Sequence, residues 1–236
     1  MRLVNWNIER RGPLTWQAAS LASEIGDLGP DLVVLTEAHE ASLTELGGHT
    51  LSHAGYDHGR KKETERLVLL WSRSPWQEIP LPPTLQANGG ALLGRTLVDG
   101  RPVHCLALCI PWHMCPGVPP EGKVRPWAQH VKFLHLLKAE MAGLLRHSPL
   151  IIAGDFNRRM PRRWGPIAAY DLLQETFTGT DIVTQGPLAP LDLKTINHVA
   201  LAGGLTARSV RALDRFDVRG RPRSDHFGIL ADLDRA

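Results

Sequence analysis

The sequence contains no apolar run that approaches the roughly 20 residues a transmembrane helix needs, so we expect no membrane span. It shows no charged-then-apolar leader, because apolar residues begin already at Leu3, and we expect no signal peptide. It has only three cysteines, Cys105, Cys109 and Cys115, an odd number without the spacing of a zinc site. This predicts free thiols in a reducing compartment and a cytoplasmic protein.

A strong charge of either sign is also missing, since the formal net charge is +3 over 236 residues. This mild balance permits a polyanionic partner without requiring one. A hydrophobic content of 43% and a charged content of 22% are ordinary for a soluble globular chain that can bury a sizeable core. No shift in composition, internal repeat or low-complexity tract marks a linker. We therefore expect one domain over residues 1–236.

The clearest signal lies at residues 150–157, with the sequence LIIAGDFN. Its apolar run predicts a buried strand that stops at Gly154, where the backbone can turn without steric cost. Asp155 and Asn157 then lie at the carboxyl end of this strand, where functional groups cluster in α/β proteins. The alternative is an ordinary exit from a strand into a turn, which favours the same residue types. The stretch alone does not decide between the two.

Two further predicted strands end in polar residues. Residues 3–8 alternate in polarity and bring Asn7 near the carboxyl end, and residues 31–37 form an apolar run that ends in Glu37. One polar residue at a strand end can simply close the strand. Acids at the ends of two strands, Glu37 and Asp155, point to a shared site.

The remaining patterns supply the other elements. Amphipathic helices are predicted at residues 15–28 and 127–145, and strands at residues 67–71, 91–97, 103–110, 195–201 and after Ser224-Asp225-His226. Residues 114–126, rich in Pro and Gly, are expected to form a loop that could act as a lid. Residues 41–64 are polar and rich in turn formers, and we interpret the basic cluster 60–62 as part of a solvated loop.

A basic patch directly follows the predicted strand that ends at Asp155. Its members are Arg158, Arg159, Arg162, Arg163 and Trp164. Arginine makes forked contacts with phosphates, and an aromatic ring can stack on a base. A solvated helix face would have the same composition, and both interpretations remain open at this point.

Groups that suit metal and phosphate chemistry lie at the ends of predicted strands. They are the carboxylates of Glu37, Asp155 and Asp225, the amides of Asn7 and Asn157, and the imidazoles of His113 and His226. Oxygen ligands with few histidines favour Mg²⁺ or Mn²⁺ over Zn²⁺. Such a metal beside a histidine suits hydrolytic phosphoryl chemistry.

In this order the segments resemble the endonuclease/exonuclease/phosphatase superfamily, which includes deoxyribonuclease I and the abasic-site endonucleases. The matching segments are Trp6-Asn7-Ile8, Leu35-Thr36-Glu37, Trp112-His113, Gly154-Asp155-Phe156-Asn157 and Ser224-Asp225-His226. Each is short, but the ordered set spans almost the whole chain. The resemblance implies an α/β fold, a four-layer α/β/β/α sandwich with two mixed sheets face to face and helices outside.

The resemblance also implies roles for individual residues. The divalent metal, Mg²⁺ or Mn²⁺, would be held by Glu37, with Asn7 and Asp225 beside it. Asp155 would activate or orient the attacking water, Asn157 would hold a phosphate oxygen, and His226 would act on the scissile phosphate as acid or base.

Two positions distinguish this chain from some or most members of the family that it resembles. His113 resembles the second histidine of the deoxyribonuclease I branch, and Glu63 or Glu65 is a candidate to orient it. The family usually places an aspartate before its penultimate strand, paired with the last histidine, whereas this chain has Asn197. We interpret Asn197 as the residue that orients His226, with Asp181 or Asp192 as the competing partners.

The first function hypothesis is a divalent-metal-dependent phosphodiester hydrolase, a nuclease that acts on DNA or RNA. Its candidate substrate contacts are Arg158, Arg159, Trp112 and Trp164. An alternative is a phosphoesterase of a small substrate, such as a phospholipid headgroup, an inositol phosphate or a nucleotide. A distant third is a non-catalytic binding protein on the same fold.

Overall fold

The computed structural model describes residues 1–56, 62–117 and 123–235. Within these ranges the α-helices are α1 (Trp16–Asp27), α2 (Pro83–Ala87), α3 (Ala128–Leu144) and α4 (Ile167–Thr176), and a short 3-10 helix spans Thr44–Leu46. The strands are β1 (Arg2–Asn7), β2 (Leu32–His39), β3 (His49–His53), β4 (Glu65–Ser72), β5 (Gln77–Ile79), β6 (Gly90–Val98), β7 (Arg101–Cys109), β8 (Leu150–Asp155), β9 (Asp181–Ile182), β10 (Pro187–Leu188), β11 (Leu193–Lys194), β12 (Asn197–Ala202), β13 (Leu205–Leu213) and β14 (Gly228–Arg235).

Twelve of these strands build two six-stranded mixed sheets, and β10 and β11 form a separate antiparallel pair. The first has the order β13-β14-β1-β2-β4-β3, and the second has the order β5-β6-β7-β8-β12-β9. In the first sheet β1 and β2 run parallel, and in the second β7 and β8 run parallel. The neighbours β14 and β12 run antiparallel to β1 and β8. Each sheet therefore gathers strand ends from distant parts of the chain at one edge.

Three apolar clusters fill the spaces between the layers. One lies between the sheets and includes Leu3 and Val34 from the first sheet and Ile151 from the second. A second packs the outer face of the second sheet against α3 and α4, and a third packs the first sheet against α1. Removing this apolar area from water is the main stabilising contribution to the arrangement. The α/β/β/α sandwich expected from the sequence is confirmed.

The two sheets approach closely where the functional strands end. The buried amide of Asn5 in β1 donates across the interface to the carbonyl oxygens of Gly154, at 3.3 Å, and His198, at 3.0 Å. Gly154 has a φ of +145°, and a Cβ there would lie 1.8 Å from the Leu108 carbonyl oxygen. Only glycine fits this position, so packing against β7 requires Gly154. The strand β8 continues through Gly154 and ends one residue later than expected, at Asp155.

Most predicted elements are present, with differences in the loops. The hairpin around Asp99-Gly100 and the two long helices are confirmed within one or two residues. The polar segment 41–64 contains the edge strand β3, and α4, which follows the arginine patch, was not predicted. The described residues of 114–126 form no helix or strand, and residues 118–122 lie outside the description, as do 60 and 61 of the basic cluster. Among the described residues no helix is both long and apolar enough to cross a membrane.

Candidate active site

The topology brings the predicted strand ends together. The carboxyl ends of β1 and β2 and the entry to β14 share one sheet edge, which faces the ends of β7 and β8 and the entry to β12. Between these edges lies a cleft of about 610 Å³. Its lining includes Arg10, Glu37, Asp155, Asn157, Asp225 and His226.

Asp155 lies at the centre of the cleft floor. Its Oδ2 accepts a hydrogen bond from Asn7 Nδ2 at 3.0 Å, and its Oδ1 accepts one from the Asn157 backbone N–H at 2.8 Å. Burial raises the pKa of this carboxyl, opposed by the charge of His226 and by these hydrogen bonds. Asn157 has a φ of +53°, and its side chain donates to the Ile110 carbonyl at 2.8 Å.

Glu37 lies across from Asp155 and is held by an arginine that was not predicted. Arg10 donates through Nη1 to Glu37 Oε2, and its Nε lies 3.6 Å from Glu65 Oε2. Burial raises the pKa of Glu37 and the Arg10 guanidinium lowers it, while the charge of Asp155 raises it further. The Arg10 backbone is itself fixed, since its N–H donates to the Glu37 carbonyl at 2.6 Å.

The loop before β14 carries Asp225 and His226 into the cleft. Ser224 Oγ donates to the Asn7 carbonyl at 2.7 Å and accepts from the His226 backbone N–H at 3.1 Å. The buried Trp6 indole donates to the His226 carbonyl at 3.0 Å. The imidazole Nε2 lies 3.7 Å from Asp225 Oδ1. These contacts tie the loop to β1, so the first and last of the predicted site segments are held together directly.

Asn197 begins β12 directly opposite Asp155 in the sheet register. Its Nδ2 donates to the Phe227 carbonyl at 3.1 Å, so it holds the residue after His226 rather than the imidazole itself. Its Oδ1 is buried and has no hydrogen-bond partner in the described structure. That oxygen is an acceptor still available to a neighbouring donor, and the role of Asn197 toward His226 stays a prediction.

His113 lies in a separate aromatic pocket beside the cleft. Its ring centroid is 5.3 Å from that of Trp112, 5.4 Å from that of Trp127 and 4.8 Å from that of Trp164. The imidazole is therefore surrounded by indole rings on several sides.

The glutamates expected to orient His113 have other partners. Glu65 is buried and pairs with Arg10. Glu63 interacts through its backbone carbonyl, which accepts from Arg66. Among the described residues no hydrogen bond joins His113 to Glu63 or Glu65, so the expected glutamate–histidine pair is wrong. The ring of His113 contacts indole rings instead.

Arg158 supports the loop that follows Asp155. It is 3% exposed, and its guanidinium donates to the carbonyl oxygens of Trp164, at 3.1 Å, and Pro166, at 2.9 Å. The guanidinium also stacks on Trp127, with 4.4 Å between Cζ and the ring centroid. Its Nε has no hydrogen-bond partner in the described structure, and the role of Arg158 as a substrate contact stays a prediction.

The other predicted substrate contacts remain accessible. Trp112 and Trp164 are each 48% exposed, and Arg159 is partly exposed. Within the described part of the chain, no side-chain hydrogen bond or ion pair of Arg159 is found. These three side chains line the aromatic pocket, which also shares Asn157 with the cleft.

The donor set of the cleft fits a hard divalent cation. Glu37 and Asp225 supply carboxylate oxygens, and Asn7 supplies an amide oxygen that also accepts from the Glu9 N–H at 2.9 Å. Burial and, after it, the neighbouring negative charges raise the pKa values of Glu37 and Asp155, a cost that a cation would relieve. In the described residues no three His, Cys, Asp or Glu side chains already converge as a ligand group, and Arg10 occupies Glu37.

Comparison with known proteins agrees with this geometry. A statistical model of the endonuclease/exonuclease/phosphatase family matches residues 4–226. A search of curated proteins gives no match. Among solved structures, a 3′-5′ exonuclease from Neisseria meningitidis has a TM-score of 0.69 at 18% identity and covers 99% of this chain and 100% of its own.

Two further structures contain DNA products. A 3′ phosphatase from Neisseria bound to a product DNA hairpin has a TM-score of 0.70 at 18% identity, with 99% of each chain covered. TDP2 from D. rerio with a single-strand DNA product has a TM-score of 0.67 at 16% identity, with 99% of this chain and 98% of that one covered. Identities this low show a shared fold, and they do not transfer a substrate.

Proposed function

Since the chain belongs to the endonuclease/exonuclease/phosphatase family, we propose that it is a divalent-metal-dependent phosphodiester hydrolase that acts on nucleic acid. The observation that carries the proposal is one cleft whose lining includes Glu37, Asp155, Asp225 and His226 from distant segments of the chain. The same proposal treats residues 1–236 as one catalytic domain, and the three free thiols support a cytoplasmic setting.

In this proposal Glu37, Asn7 and Asp225 hold Mg²⁺ or Mn²⁺. When bound, the cation supplies charge neutralisation for the phosphate oxygens. Asp155 accepts a proton from the attacking water or orients it, and its raised pKa suits a proton acceptor. Asn157 is the candidate donor to a phosphate oxygen, and His226 the candidate group that exchanges a proton with the substrate.

A nucleic acid is favoured over a small phosphoester by the surface around the cleft. A second cavity of about 760 Å³ shares Asp225 with the cleft and contains Lys194 and Arg215. The aromatic pocket adjoins the cleft through Asn157. Cations and aromatic rings that flank a phosphate site suit a polymer with repeating phosphates and bases.

The small-phosphoester alternative rests on the other wall of the cleft. Tyr56, Leu67 and Pro116 form an apolar rim there, which would suit a compact substrate. A non-catalytic binding protein is disfavoured because all three carboxylates of the family pattern are present.

The test is a substrate panel of plasmid DNA, abasic duplex, single-stranded RNA and bis-p-nitrophenyl phosphate, each with Mg²⁺ or Mn²⁺ and with excess chelator. We expect metal-dependent cleavage of at least one nucleic acid. Asp155→Asn should abolish this cleavage, which controls for contaminating nucleases. Full turnover in chelator would contradict the metal assignment, and cleavage of small phosphoesters alone would favour the alternative.

A further inference from the structure

Resting on the proposed function, we infer that the aromatic pocket beside the cleft binds one unpaired nucleobase next to the scissile phosphate. The pocket has a volume of about 200 Å³, on the scale of a single planar heterocycle. Its rings come from Trp112, His113, Trp127 and Trp164. It would make an unpaired, single-stranded segment the preferred substrate.

The pocket is built by buried side chains rather than by a chance surface arrangement. Arg158 is buried beneath it, stacks on Trp127 and holds the carbonyls of Trp164 and Pro166. Gly165 has a φ of +81°, and a Cβ there would lie 2.4 Å from Arg158 Nη1 and 2.6 Å from Trp127 Cζ2. The backbone of the loop is therefore packed against the arginine and the tryptophan, and the rings are positioned before a ligand arrives.

The exposed rings offer unused stacking surface. Trp112 and Trp164 each expose 48% of their surface, although both contact His113 edge to face. Large half-exposed aromatic rings cost free energy in water, and a base that stacks on them would recover that cost. Stacking is tolerant of base identity because every base has a π-face. The pocket therefore selects for the presence of a base rather than for one sequence.

Two arginine side chains connect the aromatic pocket to the path that a nucleic-acid strand would follow. Arg159 and Arg163 line both the aromatic pocket and the second cavity next to Asp225. No hydrogen bond or ion pair of either side chain is found within the described residues, so both are available to phosphates on either side of the bound base. Asn157 joins the pocket to the cleft. A base that is still paired could not enter, because a pocket of about 200 Å³ has room for one base and not for a base pair.

This inference gives His113 a different role from that suggested by the family resemblance. With its ring among Trp112, Trp127 and Trp164, the imidazole forms part of the pocket wall. It would contact the base or the adjoining sugar rather than the scissile phosphate.

The test compares three ligands of equal length: a fluorescein-labelled oligothymidylate of about eight nucleotides, the same strand with every base replaced by an abasic spacer, and a blunt duplex. Binding to the parent protein is measured by fluorescence anisotropy in excess chelator, so that metal-dependent hydrolysis does not interfere. We expect the base-bearing strand to bind roughly tenfold or more tightly than the abasic strand, whose phosphates are identical in number. The labelled duplex should show no comparable gain over the abasic strand.

Substitutions of tryptophan test whether the base binds in the aromatic pocket. Trp164→Ala should bring the ratio of affinities close to one, and Trp164→Phe should keep most of it because a ring remains. Trp16→Ala is the matched control, since Trp16 is 40% exposed, stacks on Arg221 and lines neither the cleft, the aromatic pocket nor the second cavity. A ratio near one in the parent, a ratio that survives Trp164→Ala and Trp112→Ala together, or equal gain with the duplex would each overturn the inference.

The binding assay also separates this inference from the proposed function. Chelated protein can discriminate a base even if the chain hydrolyses no phosphodiester, and in that case the proposed function alone fails. Metal-dependent cleavage of nucleic acid without discrimination between base-bearing and abasic strands would leave the proposed function intact and remove only the base pocket.

Discussion

Stability should fall between pH 7 and pH 5 through His198, a fully buried imidazole in β12. Its Nε2 lies 2.8 Å from the Arg158 carbonyl and its Nδ1 lies 2.9 Å from Thr184 Oγ1. A carbonyl oxygen can only accept, so the proton of the neutral ring lies on Nε2, and Nδ1 accepts from the Thr184 hydroxyl, whose oxygen also accepts from the Val199 N–H. Protonation at Nδ1 would reverse this hydrogen bond and place a charge in a fully buried site. Burial therefore favours the neutral ring.

The sign and size of the effect follow from linkage. Burial lowers the pKa of His198 from 6.5 to about 4, so the folded state binds fewer protons than the unfolded state between these values. The stability contributed by the neutral ring is fully present above pH 6.5 and is lost as the pH falls toward 4. For one group with these pKa values, the free energy of unfolding should drop by about 2 kcal/mol between pH 7 and pH 5.

Other buried groups also contribute to the pH dependence of the free energy of unfolding. A variant is therefore needed to isolate the contribution of His198. Burial lowers the pKa of His130 to about 4 and adds a loss of the same sign, whereas the raised pKa values of Asp155 and Glu37 act in the opposite direction. Urea unfolding of the parent and of His198→Gln, followed by tryptophan fluorescence at pH 7 and pH 5, gives the difference between the two pH dependences. The exposed His135→Gln is the control. An identical pH dependence in parent and His198→Gln would refute the assignment.

Three further predictions concern the cleft. Glu37→Gln should weaken Mn²⁺ binding measured by calorimetry, whereas Asp155→Asn should leave Mn²⁺ binding nearly intact and remove turnover. If both variants bind Mn²⁺ and react like the parent, the site is misplaced. Arg10→Gln should tighten Mn²⁺ binding at most about fivefold, because a partly exposed ion pair with Glu37 is worth only about 0.2–1 kcal/mol, and weaker binding would contradict this competition. Asn197→Asp should move the pH–rate limb controlled by His226 to higher pH, since it introduces a negative charge beside the loop that carries His226. An unchanged pH–rate profile would contradict the proposed pairing of Asn197 with His226.

The sequence predicted the cleft because its signals are local and its topology is simple. An apolar run that ends in an acid identifies both a strand and its exit, as at Glu37 and Asp155. Parallel pairing of β1 with β2, and of β7 with β8, brings the carboxyl ends of each pair to one edge of its own sheet. That the two edges face each other was expected from the family resemblance, and in the structure the contacts of Asn5 and Asn7 across the sheets hold them together.

Arg10 and Trp127 were missed because their roles depend on backbone conformation that their residue types do not suggest. Arg10 has a φ of +49°, which turns the chain after β1 back toward Glu37. Trp127 precedes α3 with a φ of +71°, an uncommon conformation for a bulky residue. The strand β3 was missed because its sequence, HTLSH, lacks an apolar run and forms an edge of the sheet, where polar residues are tolerated.

The contacts that hold the two sheets together also align the reactive groups. Asn5, Asn7 and Asn197 each extend an amide across the sheet interface, to the Gly154 carbonyl, to the Asp155 carboxylate and to the Phe227 carbonyl respectively. Neutral amides can hydrogen-bond in this buried interface without the desolvation cost of a charge. Of the three carboxylates of the cleft, Asp225 is exposed and Glu37 is partly exposed, whereas Asp155 is buried and accepts from Asn7. A substitution of Asn5 or Asn7 should therefore reduce stability and displace Asp155 at the same time, so that stability and catalysis cannot be varied separately at these two positions.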